Sequence, residues 1–130
     1  MKFVEAFNAL GYRVEAPRHD WSASKKNGVC LALWRMEIKT RDGMPWLDTM
    51  KHCGPIKIWG QKPGNATRKI HLQQAVSSLA GVVDVIILDG IPGVGFKNAH
   101  PWQINAEKAI WRVTSLDPVT GHFGVQAESL

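Results

Sequence analysis

Apolar positions recur at helical spacing near the N-terminus. In "KFVEAFNAL" (2–10), Phe3, Ala6, Phe7 and Leu10 share one face, and Gly11 stops the pattern. The period then changes. "YRVEA" (12–16) alternates as a strand does, with Pro17 ending it or placing it at an edge. "VCLALWRMEI" (29–38) is the strongest strand candidate, and the preceding Asn27-Gly28 is the preferred pair for a two-residue type I′ turn. From Thr40 to Pro55 the chain is polar and broken by Gly43, Pro45 and Gly54, a length that implies a functional loop or a concealed strand.

"GPIKIW" (54–59) predicts a brief strand, and "GQKPGNATRKIHLQQAVSSLAG" a loop and then the clearest helix. Asn65 is its expected N-cap, Gly81 its left-handed C-terminal cap, and Leu72, Ala75, Val76 and Leu79 its core stripe. "VVDVIIL" (82–88) is almost continuously apolar and β-branched, which suits a central strand covered on both faces. A turn-rich loop, "DGIPGVGFKNAHP", follows. "AIWRVTSL" and "HFGVQA" then flank "DPVTG", a hairpin signal. The pattern predicts an α+β fold with a curved, mostly antiparallel or mixed sheet of about six strands and two helices.

Length and composition narrow the class. At 130 residues one domain spanning 1–130 is expected, since domains commonly run to about 100–150 residues. With 45% hydrophobic and 21% charged residues the chain has enough apolar content for a core, which excludes a disordered tail. Cys30 and Cys53 are too few for a disulfide framework, so a reducing cytoplasm is the expected location. No apolar run approaches the roughly 18 residues of a membrane span, and the N-terminus reads as a helix, not a signal peptide. The balance of 16 Lys+Arg against 11 Asp+Glu favours an anionic partner. Six tryptophans supply flat apolar faces for a core or a stacking platform.

Asp20 and Glu37-Ile38-Lys39 have the residue types of a PD-(D/E)xK nuclease, in which two carboxylates hold Mg²⁺ and the lysine positions water. Register opposes that reading. A type I′ turn at Asn27-Gly28 sets Trp21 opposite Trp34, Asp20 opposite Arg35 and Arg18 opposite Glu37, three complementary cross-strand pairs. Each carboxylate then has an arginine partner and no cation to bind. "GIPGVG" (90–95) has the wrong spacing for a dinucleotide loop, and the histidines lack zinc-ligand spacing. No serine occupies a nucleophile elbow, and Cys30 lies inside an apolar strand. No cofactor or metal is expected.

The richest functional segment is "IKIWGQKPGNATRK" (56–69), where Lys57, Lys62, Arg68 and Lys69 surround Trp59 and run into a helix start. Lysines and free amides there suit phosphate groups. Arg68 falls near the core stripe, where a structural cation is an equal reading, and Ile70 points away from the stripe.

"IWGQKPGNATRKIHLQQAVSSLAGVVDVIIL" (58–88) resembles the N-terminal reader domain of McrA-type restriction endonucleases at Trp59, Gly60, Asn65, Arg68, Leu72 and Ala75. "PRHDWSA" is similar to the opening of related modules found beside HNH nuclease domains. The resemblance implies recognition of modified cytosine in DNA, with cleavage assigned to a separate HNH domain or subunit. No catalytic residue carries over.

The leading expectation is therefore a nucleic-acid-binding module, a modified-base reader of DNA. Its contacts would be Lys57, Trp59, Lys62, Asn65, Arg68 and Lys69, with Trp21, Trp34, Trp46 and Trp102 as further stacking or pocket faces. Trp111, inside an apolar strand, reads as core. The alternatives are a Mg-dependent nuclease using Asp20, Glu37 and Lys39, and a small-ligand or protein-interaction module with a tryptophan-lined pocket.

Overall fold

The computed structural model describes residues 1–130. In chain order the elements are α1 (Phe3–Ala9), β1 (Ser22–Lys25), β2 (Gly28–Trp34), a 3-10 turn (Arg35–Glu37), β3 (Lys39–Arg41) and β4 (Met44–Asp48). Then come α2 (Thr49–His52), α3 (Ile56–Trp59), α4 (Pro63–Ser78), β5 (Val82–Ile91) and β6 (Gly95–Pro101). The chain ends with α5 (Ile104–Glu107), β7 (Ala109–Leu116) and β8 (Phe123–Ser129). The α+β class and the mixed, open sheet agree with expectation. Eight strands and five α-helices replace the six strands and two helices read from the pattern.

The sheet order is β1-β2-β5-β7-β8-β4-β3, with β6 also on β5. β2 and β5 are parallel, joined by a crossover that contains α4; every other pairing is antiparallel. β5 pairs with β2 along Asp84–Leu88, with β7 at Val82 and Val83, and with β6 from Ile86 to Ile91.

Two cores follow from the alternation of β2 and β5. Val29, Leu31, Leu33, Val83, Val85 and Ile87 pack with Leu72 and Ala75 of α4, joined by Trp111, Val113, Phe123 and Val125. Cys30, Ala32, Ile86 and Leu88 face the other way, against Ala6 and Phe7 of α1. Successive strand residues point to opposite faces, so strands covered on both sides are apolar throughout. Each fully buried side chain of this size contributes roughly 1.5–3 kcal/mol. Cys30 is buried, and neither cysteine is in a disulfide. No helix is long and apolar enough to cross a membrane.

Several expected elements are different. Residues 12–16 form no strand: Tyr12 and Val14 are buried and Arg13 and Glu15 exposed, the alternation of an extended segment lying on the sheet without a ladder. The Tyr12 hydroxyl donates to Asp84 at 2.6 Å and anchors that segment. The 54–59 strand is instead the single helical turn α3, which buries Trp59 and leaves Ile58 exposed. Polar residues 40–55 conceal β3, β4 and α2.

In α4, Pro63 is the first helical residue and Lys62 the N-cap, so Asn65 lies one turn inside the helix. Gly81 does close the helix, at φ +81° behind Ala80 at φ +54°, with its amide bonded to the Ala75 carbonyl at 2.8 Å. Val76 is exposed, so the core stripe is narrower than predicted, while Ile70 points away from it to the surface, as expected.

The largest correction is the register of β1 and β2. Ser22 faces Leu31, Ala23 faces Cys30, Ser24 faces Val29 and Lys25 faces Gly28, so Lys26 and Asn27 make the turn. Trp21 then bonds Ala32 through its carbonyl, and the pairs Trp21–Trp34, Asp20–Arg35 and Arg18–Glu37 do not form. Neither Asn27 nor Gly28 has positive φ, as a type I′ turn would require. Glycine is needed at 28 for another reason: a Cβ there would run into the Tyr12 hydroxyl.

Candidate functional site

The carboxyl end of β2, the start of α4 and the β5–β6 turn meet around one cavity of about 300 Å³. β2 delivers Leu33 and Trp34, and the 3-10 turn after it adds Glu37. Trp21 enters from the segment before β1, Trp59 from α3, and Lys62 and Arg68 from the first turns of α4. Cys53, Thr49 and Phe123 complete the inner wall.

Arg68 is the centre of this arrangement. It is only 8% exposed, and its guanidinium carbon lies 4.7 Å from the Trp21 ring centre, 4.7 Å from Phe123 and 5.5 Å from Trp59. Its Nε is buried without a partner in the protein. Arg68 takes no part in the chain's ion pairs, which are Arg35–Asp89, His100–Asp89 and Arg112–Glu128. Burial lowers its pKa to about 10, against the opposing pull of Cys53 and Glu37, so the side chain stays charged at neutral pH. A charge taken out of water costs several kcal/mol unless it is paired and hydrogen-bonded. Stacking on aromatic faces recovers up to about 2 kcal/mol per desolvated contact.

Glu37 shares the cavity. Burial raises its carboxyl above the ordinary value, while the Cys53 thiol, Arg68 and Lys39 pull it back down. The Cys53 thiol is pushed up to about 12, first by burial and then by the Glu37 charge, so it is not a thiolate nucleophile.

The tryptophans are held by specific neighbours. Gly64 lets Trp21 lie flat on α4, because a Cβ there would sit 2.5 Å from two of its ring carbons. Trp59 meets His122 edge-on at 5.1 Å, and its Nε1 is buried without a protein partner. His122 Nδ1 is 2.9 Å from Thr49 Oγ1, which accepts the Phe123 amide at 3.0 Å. With that oxygen accepting one bond, its proton is free for His122 Nδ1. Asn65 supports the site from behind: its Nδ2 donates to the carbonyls of Gly60 and Thr120, both at 3.0 Å, which ties the α3–α4 corner to the turn before β8.

The structure therefore brings together Trp21, Trp34, Trp59, Lys62, Arg68 and Glu37. Lys57 is exposed on α3, and Lys69 turns away to donate to the Val119 carbonyl at 3.1 Å. Trp46 lies elsewhere, on β4, with Arg41 over its ring at 3.8 Å and His52 edge-on at 4.8 Å. Trp102 packs edge-on against Trp111 at 5.4 Å and donates to the Ala109 carbonyl. Trp111 is core, as its sequence context implied.

The three nuclease candidates are on separate elements. The buried Asp20 carboxylate accepts the Ala16 amide at 3.0 Å, Glu37 ends the 3-10 turn, and Lys39 begins β3, reaching back to the Met36 carbonyl at 3.4 Å. The chain contains no group of three or more His, Cys, Asp or Glu arranged to hold a metal ion. Thr49, Phe123 and the Pro92–Gly93 turn escaped sequence reasoning, and Cys53 drew notice only as a candidate nucleophile, because only the tertiary fold brings them to this wall. Compared with protein-family models, with curated proteins and with solved structures, the chain matches none, so the chemistry of the site alone carries the functional argument.

Proposed function

We propose that the chain is a nucleic-acid-binding module that takes an unpaired or extruded base, including a modified one, into the Trp21–Trp34–Trp59 cavity. The observation that carries this reading is Arg68: buried, charged, stacked on rings, and with no carboxylate in ion-pairing distance. Such a group lacks a hydrogen-bond acceptor, and the edge of a nucleobase offers a carbonyl or ring nitrogen beside an N–H donor. Arg68 and Trp59 line the cavity, each with a buried N–H that has no partner in the protein, and the Glu37 carboxylate offers an acceptor for the base's donor. Stacking on tryptophan contributes roughly 1–3 kcal/mol per base. Lys62, exposed at the cavity wall, and Lys57, exposed on α3, meet the phosphates. DNA is the proposed partner. The chain acts as a reader, with cleavage, where it occurs, belonging to a separate nuclease subunit.

The test is a titration of the full chain with single-stranded DNA carrying unmodified or modified bases, followed by tryptophan fluorescence at increasing salt. Quenching and affinity that falls with salt are expected. Affinity indifferent to salt, with quenching by free nucleosides alone, would favour the second reading, a pocket for a small planar ligand. That reading draws on the same cavity and leaves the exposed lysines without a role.

A further inference from the structure

Building on that base-reading proposal, we infer that the β5–β6 turn is a wedge that enters the base stack of duplex DNA and fills the gap left by the extruded nucleotide. Its tip is Ile91-Pro92-Gly93-Val94, in which the Val94 amide donates to the Ile91 carbonyl at 3.0 Å and Gly93 has φ +81°. Proline followed by a glycine with positive φ is the pattern of a type II turn, so the tip is short and preset. It is apolar where it is most exposed: Val94 is 81% accessible, Ile91 55% and Phe96 39%. A single exposed apolar residue is ordinary, whereas Ile91 and Val94 together on one turn, with Phe96 partly exposed at its base, mark a contact surface.

Position identifies the partner. Pro92 and Gly93 belong to the wall of the tryptophan cavity, so the tip and the cavity adjoin. Phe96 packs edge-on to Trp34 at 6.2 Å and lies 5.9 Å from Phe3, which braces the turn against that same wall. At its base, Asp89 is held by both Arg35 and His100. Gly90 allows the two strands to close, because a Cβ there would strike the Gly95 carbonyl. Exposed Lys97 adds a positive charge in β6 next to the turn, while the Arg35 charge is paired with Asp89. An apolar tip beside an aromatic cavity, with Lys97 near it, matches what base extrusion requires: a side chain inserted between base steps unstacks them, and the displaced base stacks on protein. A protein partner would leave the adjoining cavity unused. B-form DNA is the proposed duplex, since apolar wedges enter its base steps from the minor groove.

The test uses the full chain, a short DNA duplex containing one 2-aminopurine, and the matching single strand. Wild type, the double variant Ile91→Ser with Val94→Ser, and Val94→Leu are titrated against each. Wild type is expected to raise 2-aminopurine emission in the duplex. The double variant abolishes that rise and binds the duplex about tenfold more weakly, with single-strand affinity unchanged. Val94→Leu retains both properties. Unchanged duplex affinity and emission in the double variant, or equal losses on duplex and strand, overturn the wedge and leave base reading standing. Failure of wild type to bind either DNA removes base reading, and the wedge with it.

Discussion

The Arg68 guanidinium lies 4.7 Å from the centre of the Trp21 ring, yet no carboxylate comes within ion-pairing distance of it. A cation held by rings and not by an anion separates binding from stability. Arg68→Met keeps most of the volume, ends the desolvation penalty and forfeits the cation–π contacts, so the terms oppose each other. Unfolding free energy is expected to stay within about 1 kcal/mol of wild type. Oligonucleotide affinity is expected to fall about tenfold or more, because the buried donor is gone. Denaturant unfolding beside a DNA titration decides the matter; a stability loss above about 3 kcal/mol with binding intact would make Arg68 a structural cation.

Burial holds the Glu37 carboxyl above its ordinary 4.5, so the folded chain keeps that proton longer than the unfolded chain does. Below 4.5 both states are protonated and the group has no effect on stability. As pH rises from there through the raised folded value, the unfolded state ionises first and stability falls, then levels off. Glu37→Gln should flatten that decline and leave the protein more stable than wild type at neutral pH. Urea titrations across this range test it, and an identical pH profile in the variant would contradict it.

Gly28→Ala should destabilise the protein by about 1–3 kcal/mol, the usual range for overpacking, since the new methyl meets the Tyr12 hydroxyl. Tyr12→Phe removes that oxygen and its bond to Asp84. A double-mutant cycle should therefore show favourable coupling, the pair losing less than the sum of its parts. Strict additivity would mean that the glycine serves the turn and not the contact.

Asn65→Ala leaves the Gly60 and Thr120 carbonyls without their donor and should cost about 1–3 kcal/mol. Asn65→Asp should be worse, because it aims a carboxylate at two carbonyl oxygens. Both loosen the corner that carries Trp59, so oligonucleotide affinity drops as well. Thermal unfolding and the same DNA titration check this, and unaltered affinity in a folded Asn65→Ala would assign the residue to scaffold alone.

Much of the fold was legible where the physics is local. The 82–88 run, the 109–116 and 122–127 strands with their Asp-Pro turn, and both longer helices follow from periodicity and turn chemistry. What failed depended on neighbours distant in sequence. The Asn27-Gly28 signal was overruled by Tyr12, fifteen or more positions away and packed against Gly28. Ile56–Trp59 is one turn long, too short for a helical period to show, and its Ile-x-Ile spacing imitates a strand. The site was half legible: Trp59, Lys62 and Arg68 are close in sequence, but Trp21, Trp34 and Glu37 join them only through the parallel pairing of β2 with β5. Glu37 drew attention for a different chemistry, and its actual partners, Cys53 and Arg68, are not apparent from spacing.

That parallel pairing also has a kinetic meaning. Cys30 to Trp34 meet Asp84 to Leu88 across a crossover of some fifty residues, the kind of closure that forms slowly compared with the β1–β2 and β7–β8 hairpins. The hairpins and helices can assemble before it, yet the cavity cannot, because Trp34 and Glu37 reach it only from the end of β2. A ligand bound there would consequently meet a chain that has already finished folding. It would leave the refolding rate untouched and act as a brake on unfolding alone.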